Sequence, residues 1–425
     1  MRDKRKLFVL SIFLLFHLYS PAGASDNKTG FQILTGIGYD FVSQRYFIDS
    51  VGVSGPDSIL NSTLLKKDYL DDKKGLLYLR YDPRKNGRAF FEAGWEQTPE
   101  IYRALGNGRL VTEKGADRME LDGRFEIKKR FKGTEEVGEG LGIANARIGY
   151  IRRLNDILRG KIRIYGETVH FDSTGYAIFD YRRYGGEIGI DALTRDFNNI
   201  YMTVGGERRE VPDSTALGYW LGRGIVGFMG GLGQGQLMAE FGLESRKYPQ
   251  ANSASDYLLY SLYSEGKIYL GKKDFLRPRL DLEYFNYRGD QAINDDYLLG
   301  RGALTAGPEF EKATLGVGPA VEILWINSEF HTDNYLEYGL EANFDYYLGN
   351  KALVLLSNQF GYRNYSDSGS FYSDFNFVRF NLIGNVKFWR ALTFDLLLSA
   401  EREWHKVESD NTTLYLLSTN LIYTF

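Results

Sequence analysis

The chain has 425 residues, a formal net charge of −3, no cysteine, and 15% aromatic residues, with 31 Tyr and 28 Phe against 48 Gly and 9 Pro. The missing cysteine excludes disulfides, thiolate metal sites, thiol nucleophiles and a lipid-modified cysteine. A mildly acidic, mixed-charge chain has no long-range pull on nucleic acid. Mean hydropathy is below zero, too polar for a helical membrane protein, while so much Tyr and Phe favours strands.

Residues 1–24 have the make-up of an export signal. Arg2, Lys4, Arg5 and Lys6 precede the apolar run 7–18, and Ala22-Gly23-Ala24 gives the small-residue cleavage pattern, so the signal peptide is predicted to end before Ser25. The remainder, 25–425, is expected to form one domain. No later apolar run approaches the ~20 residues of a membrane helix.

The first strand is expected near residues 31–41. Residues 49–74 look like one long charged surface loop, and 97–116 like a loop or an extra hairpin. In 119–131 the alternation is plain: Met119, Leu121, Phe125, Ile127 and Phe131 share one face, while Arg118, Glu120, Asp122, Arg124, Glu126 and Lys128 take the other.

From about residue 155 short turns recur at 154–156, 195–198, 230–235, 271–274, 309–312, 349–351 and 389–390. Longer polar loops fall between them at 207–215, 247–256, 288–296, 327–334, 363–370 and 406–411. Each intervening segment is ten or more residues long, against about five or six for a strand of a soluble sheet. Charged residues of one phase are Glu240 and Glu244, then Arg277 and Arg279, then Glu337, Glu341 and Asp345. Arg379 and Lys387, and then Asp395, Glu401 and Glu403, continue the set. Pro278 and Pro319 interrupt two of these segments and are read as bulges or strand ends.

Other motifs carry less. Gly222-Arg223-Gly224-Ile225-Val226-Gly227 matches a dinucleotide-binding fingerprint, but the glycine-rich run after it cannot be a stable helix. His170 with Asp172 and Ser173 offers the residue types of a hydrolase site without a matching spacing, and a rim histidine is the preferred reading. The acidic pairs and triplets at Asp68, Asp71 and Asp72, and at Asp295 and Asp296, lack the pattern of a calcium loop. No metal site and no cofactor is expected.

The stretch 412–425 reads TTLYLLSTNLIYTF, with Tyr415, Leu417, Leu421, Tyr423 and Phe425 on one face and Leu414, Ser418, Asn420 and Thr424 on the other. It resembles the closing strand of a bacterial outer-membrane β-barrel. The resemblance implies an all-β fold, a transmembrane antiparallel up-and-down β-barrel of about 18 strands, with 16 the next choice. It implies a cell outer membrane location, outer-membrane lipid and lipopolysaccharide as surroundings, and recognition by the barrel assembly machinery through Leu421, Tyr423 and Phe425. The charged phase then lines the lumen, its opposite charges pairing across strands to leave weak or no charge selectivity. A passive channel for small polar solutes is the expected function, and not an enzyme. Absence of a plug before the first strand argues against an energised transporter. An outer-membrane enzyme acting on lipid or peptide, or an export scaffold working with a partner, are the alternatives.

Overall fold

The computed structural model describes residues 30–425 except 54–58, 83–88, 133–134, 172–178, 195, 197, 250–254, 289–294, 328–332, 367–372, 390 and 407–409. Along 44–53, 59–72, 130–132 and 135–139, and at 232, it describes the backbone alone. The expected signal peptide, the residues Asp172, Ser173 and His331, and the side chains of Asp68, Asp71 and Asp72 lie outside what is described.

The alternating segments form twenty antiparallel strands. The first are β1 (Phe31–Val53), β2 (Ile59–Tyr81), β3 (Ala89–Gln97), β4 (Ile101–Lys114) and β5 (Asp117–Lys132). Next come β6 (Glu135–Arg153), β7 (Leu158–Phe171), β8 (Tyr181–Leu193), β9 (Asn199–Glu210) and β10 (Tyr219–Leu232). They are followed by β11 (Gly235–Lys247), β12 (Tyr257–Tyr269), β13 (Asp274–Tyr287), β14 (Asp296–Pro308) and β15 (Ala313–Asn327). The last are β16 (Tyr335–Leu348), β17 (Ala352–Tyr365), β18 (Phe375–Lys387), β19 (Leu392–His405) and β20 (Thr413–Thr424). Each strand pairs with the next, and β20 closes on β1, with Leu34 opposite Thr424 and Arg45 opposite Thr413. The Phe425 amide extends this seam, donating to the Ile33 carbonyl at 2.8 Å. Closure pairs the backbone groups that an open sheet would leave along its edges.

Ion pairs and hydrogen bonds that skip strands identify the two faces. Arg279 on β13 reaches Glu341 on β16, Arg379 on β18 reaches Glu337 on β16, and Tyr201 on β9 reaches Glu240 on β11. Side chains converge in this way only on the concave side. The opposite phase carries exposed Ile148, Ile162, Ile164, Ile188, Ile190, Met202, Val226 and Phe241, an apolar outer belt. On β20, Ser418 donates to Asp40 on the inner side, while Tyr415, Leu421 and Tyr423 point out.

Twenty strands exceed the expected eighteen, and the shortfall lies in the first third. β4 occupies most of 97–116, the segment left between loop and hairpin. Its outward residues Ala104, Gly106 and Gly108 are small, while Leu105 and Val111 are buried on the inner phase, so the greasy-and-charged alternation is scrambled. Residues 49–74 are no single loop: they belong to the ends of β1 and β2, each 23 residues long, around the short connection 54–58. That is about twice the 9–11 residues needed to cross a bilayer, so this hairpin outreaches the wall. β1 pairs with β20 only as far as Arg45, and β2 with β3 only over Gly75–Tyr81.

Neither proline marks a bulge or a strand end. Pro278 sits inside β13 and Pro319 inside β15, with the same register on both sides of each. Each interrupts the ladder on one flank, Pro278 beside Gly266 and Pro319 beside Leu304. The register does shift between β5 and β6, at Lys128/Arg130. The segment Gly222–Gly227 lies wholly within β10, and the chain turns into β11 with no helix after it.

The abundance of glycine and aromatics has one packing explanation. Rings lie flat on the wall where the neighbouring strand carries glycine: Tyr78 on Gly94, Phe125 on Gly106, Tyr201 on Gly227 and Phe377 on Gly361, while Phe275 on β13 reaches across β14 to Gly316 on β15. The glycine leaves room for the ring, and the ring covers backbone that a bare glycine would expose.

Candidate functional site

Strand parity turns the predicted charged residues to one side. Arg118, Glu120, Asp122, Arg124, Glu126 and Lys128 on β5, Glu240 and Glu244 on β11, and Arg277 and Arg279 on β13 share the phase of the strand-skipping contacts. So do Glu337, Glu341 and Asp345 on β16, Arg379 and Lys387 on β18, and Asp395, Glu401 and Glu403 on β19. Most enter connected clusters; Lys128, Asp345 and Lys387 share the phase without joining them.

The longest cluster runs from β14 to β19. Arg301 donates to Glu322 at 2.7 Å, Arg363 bridges Glu322 at 3.3 Å and Glu337 at 2.7 Å, and Arg379 joins Glu337 at 2.6 Å to Glu401 at 2.7 Å. Glu322 and Glu337 stand directly opposite one another on β15 and β16, an arrangement that would repel without Arg363 between them. Arg363 lies over the Tyr335 ring at 3.9 Å and Arg379 over the Phe377 ring at 4.1 Å, which fixes both guanidinium planes.

Two further clusters lie between β3 and β10. On β3 to β6, Arg103 bonds Glu96 at 3.2 Å and Glu126 at 2.6 Å, and Asp122 lies between Arg109 at 3.5 Å and Arg147 at 2.9 Å. On β7 to β10, Glu187 is held by Arg163 and by Arg223 at 3.0 Å, while Tyr165 and Tyr219 both donate to buried Glu207. The inner-wall cavity bounded by Glu120, Lys161, Arg163 and Glu187 is only about 20 Å³, room for about one water. The candidate site is therefore the lumen surface itself.

Glu207 and Arg363, expected at the starts of polar loops, lie within β9 and β17 and anchor two of the clusters. Arg103, Arg147, Glu187, Arg301 and Glu322 join them, and strand alternation beside the outward Ile148 and Ile323 already places the adjacent Arg147 and Glu322 on the inward phase.

The loop-bearing end has a recurrent closure. Six loops end on an Asp or Asn whose side-chain oxygen accepts an amide from the end of the preceding strand. The pairs are Phe171 to Asp180, Tyr248 to Asp256, Tyr287 to Asp296, Ile326 to Asn334, Tyr365 to Asp374 and His405 to Asn411, at 2.5–2.8 Å. In three of them the carbonyl of the same residue also accepts an amide from the next hairpin: Arg288 to Asp256, Ser366 to Asn334 and Lys406 to Asp374. Five are followed at once by an inward aromatic residue, Tyr181, Tyr257, Tyr297, Tyr335 or Phe375. Arginines intercalate among these rings, Arg209 over Tyr181 at 4.3 Å and Arg246 over Tyr219 and Tyr257 at 4.5 and 4.9 Å.

Partial burial pushes the Asp374 carboxyl up, but the Lys406 ammonium and the Tyr365 and Tyr362 hydrogen bonds outweigh it and hold the group down at about 2. A carboxyl depressed below its unfolded value near 3.9 contributes stability that is complete above that value and lost as pH falls through about 2. Asp374→Ala should therefore speed hydrogen exchange at the Tyr365 amide at neutral pH, by about 1 kcal/mol of local stability. Asp374→Asn, which keeps an acceptor, should not. Equal exchange in the two variants would rule the closure out.

His170, at the same rim, is paired with Asp180, whose carboxyl is lowered by the Phe171 amide and then by His170. Its ring sits on the outward phase. Among the described residues no group of three metal-ligating side chains is assembled.

The geometry defines a class, the closed antiparallel barrel of outer-membrane proteins. Neither a protein-family model nor a curated protein sequence matches the chain. Solved structures do share the fold. The siderophore receptor PirA from Pseudomonas aeruginosa superposes with a TM-score of 0.52 at 10% identity, covering 92% of this chain and 80% of that one. The alcaligin outer membrane receptor FauA from Bordetella pertussis gives 0.52 at 8% identity, over 92% and 76%. The copper transporter OprC gives 0.53 at 9% identity, over 92% and 81%. The likeness is one of fold.

Proposed function

We propose that this protein is a passive pathway for small polar solutes across the outer membrane. The observation that carries the reading is the state of the inner wall. Arg124, Arg147, Arg279 and Arg301 are all paired with carboxylates, yet all remain exposed on the concave side, as groups facing water in an unfilled lumen would. Barrels of 16–18 strands already leave an aqueous channel, and this one has more. Reconstituted into planar bilayers, the protein should give discrete conductance steps; stably inserted but silent protein would overturn the open pathway.

A second reading draws on the shared fold: a receptor that binds a cargo before admitting it, as the names of the neighbours suggest for those proteins. Silent bilayers together with saturable binding of a solute would favour it.

Either reading sets the apolar belt in outer-membrane lipid and lipopolysaccharide, and gives Leu421, Tyr423 and Phe425 the role of an assembly signal. Phe425→Ala should lower the amount of heat-modifiable barrel recovered from outer membranes while leaving refolding into detergent micelles unchanged. Unaltered insertion in cells would remove that role. N-terminal sequencing of membrane-extracted protein should begin at Ser25.

A further inference from the structure

We infer that the lumen presents a cationic surface and favours anionic solutes, although acids outnumber bases in the chain as a whole. The inference rests on the pathway reading above and names its solute class. It departs from the expectation of paired charges that cancel.

Pairing across strands cancels charge in a count, but the two partners do not lie at the same depth. The side chains of Arg124, Arg147, Arg223, Arg279 and Arg301 are 40–47% exposed, while the carboxylates they bind, Glu126, Asp122, Glu187, Glu341 and Glu322, are 8–23% exposed. The cause is side-chain length. A carboxylate on a short stem stays close to the backbone, where it is also held by hydroxyl and amide donors such as Tyr335 on Glu322 and Asn343 on Glu341. An arginine reaches over it and lays its guanidinium on the lumen side, with donors left to spare beyond the pair. Each pair is thus a dipole standing on the wall with its positive end inward.

The order reverses at Arg379–Glu401, Arg277–Glu265, Lys267–Glu309 and Lys74–Asp40. The layering therefore dominates the arc β5 to β10 and recurs around Arg279 and Arg301 on β13 and β14. Low-dielectric walls concentrate the field of such a layer in the lumen, and a solute there meets the nearer charge more strongly than the deeper one.

The test is the reversal potential of single channels under a KCl gradient. A wall potential of about one kT enriches chloride and depletes potassium by about threefold each, so chloride should be about sevenfold more permeant; a permeability ratio of one, or one favouring potassium, would overturn the inference. The combined variant Arg279→Gln, Glu341→Gln, Arg301→Gln, Glu322→Gln removes two dipoles without leaving a buried carboxylate unpaired. It should move the ratio toward one, and an unchanged ratio would count against the layering. If the protein is silent in bilayers, calorimetric titration of the detergent-solubilised barrel with citrate and with spermidine decides the point. Citrate should bind, more weakly as salt rises and more weakly in the variant, and spermidine should not. Silence with citrate binding would sink the open pathway alone; spermidine binding in preference to citrate would sink the cationic surface.

Discussion

Glu337→Ala should destabilise the barrel by about 3–5 kcal/mol, the loss expected when one member of a buried charge network is removed. Among the described residues Glu337 is the most enclosed carboxylate, at 1% exposure. It accepts from Arg363 Nε at 2.9 Å and Nη2 at 2.7 Å, and from Arg379 Nη1 at 2.6 Å and Nη2 at 3.1 Å. Truncation leaves two partly buried guanidinium groups facing each other without the anion between them. Glu337→Gln, which retains a single acceptor oxygen, should fall between the wild type and the alanine variant. In an Arg363→Met, Arg379→Met background the loss should shrink, because the cations it would strand are gone. Urea unfolding in detergent, followed by the heat-dependent gel shift, measures all of these. A loss under about 1 kcal/mol for Glu337→Ala would show that the network is solvated and not structural.

Phe377→Ala should cost a similar amount, about 3–5 kcal/mol, for a different reason. The ring is 1% exposed although it faces a lumen, because Gly361 on β17 and Gly339 on β16, successive strands to one side of it, leave a gutter in which it lies. Removing it empties that gutter and takes away the surface on which Arg379 stacks. The reciprocal change tests the same contact. A Cβ added at Gly361 would meet Phe377 Cζ at 2.8 Å and press on the Tyr338 carbonyl, which is backbone and cannot rotate away. Gly361→Val should therefore lose about 1–3 kcal/mol. If Phe377→Ala is severe and Gly361→Val is harmless, the ring is held by something other than the glycine gutter.

What could be read from the sequence followed from period two. Where one face is greasy and the other charged, as on β5, β16 and β19, both the strand and the inward phase of its residues are visible in the letters. β4 is obscured because Leu105 and Val111 are turned inward and the middle of its outer face, Ala104, Gly106 and Gly108, is nearly side-chain free. Arg363 was obscured because the run Arg363-Asn364-Tyr365-Ser366 is polar on both phases at the point where the wall leaves the apolar belt. Pairing was beyond reach for a further reason. That Arg279 would cross to Glu341, three strands away, depends on the curvature of the whole wall and on no local pattern. The loop-closing residues are legible in the letters: an Asp or Asn directly before an aromatic residue in Asp180-Tyr181, and then about every forty residues in Asp256-Tyr257, Asp296-Tyr297, Asn334-Tyr335 and Asp374-Phe375.

Those closures have a mechanical consequence. Because each grips both feet of its own loop, and three also grip the neighbouring hairpin, the loop-bearing end behaves as a stiff collar fitted with sockets. Whatever is inserted in a socket is insulated from the strands below it. Sequences between the gripped residues are free to lengthen, change charge or be exchanged wholesale while the wall keeps its register, so the barrel can alter what it meets at that rim without rebuilding the lumen below.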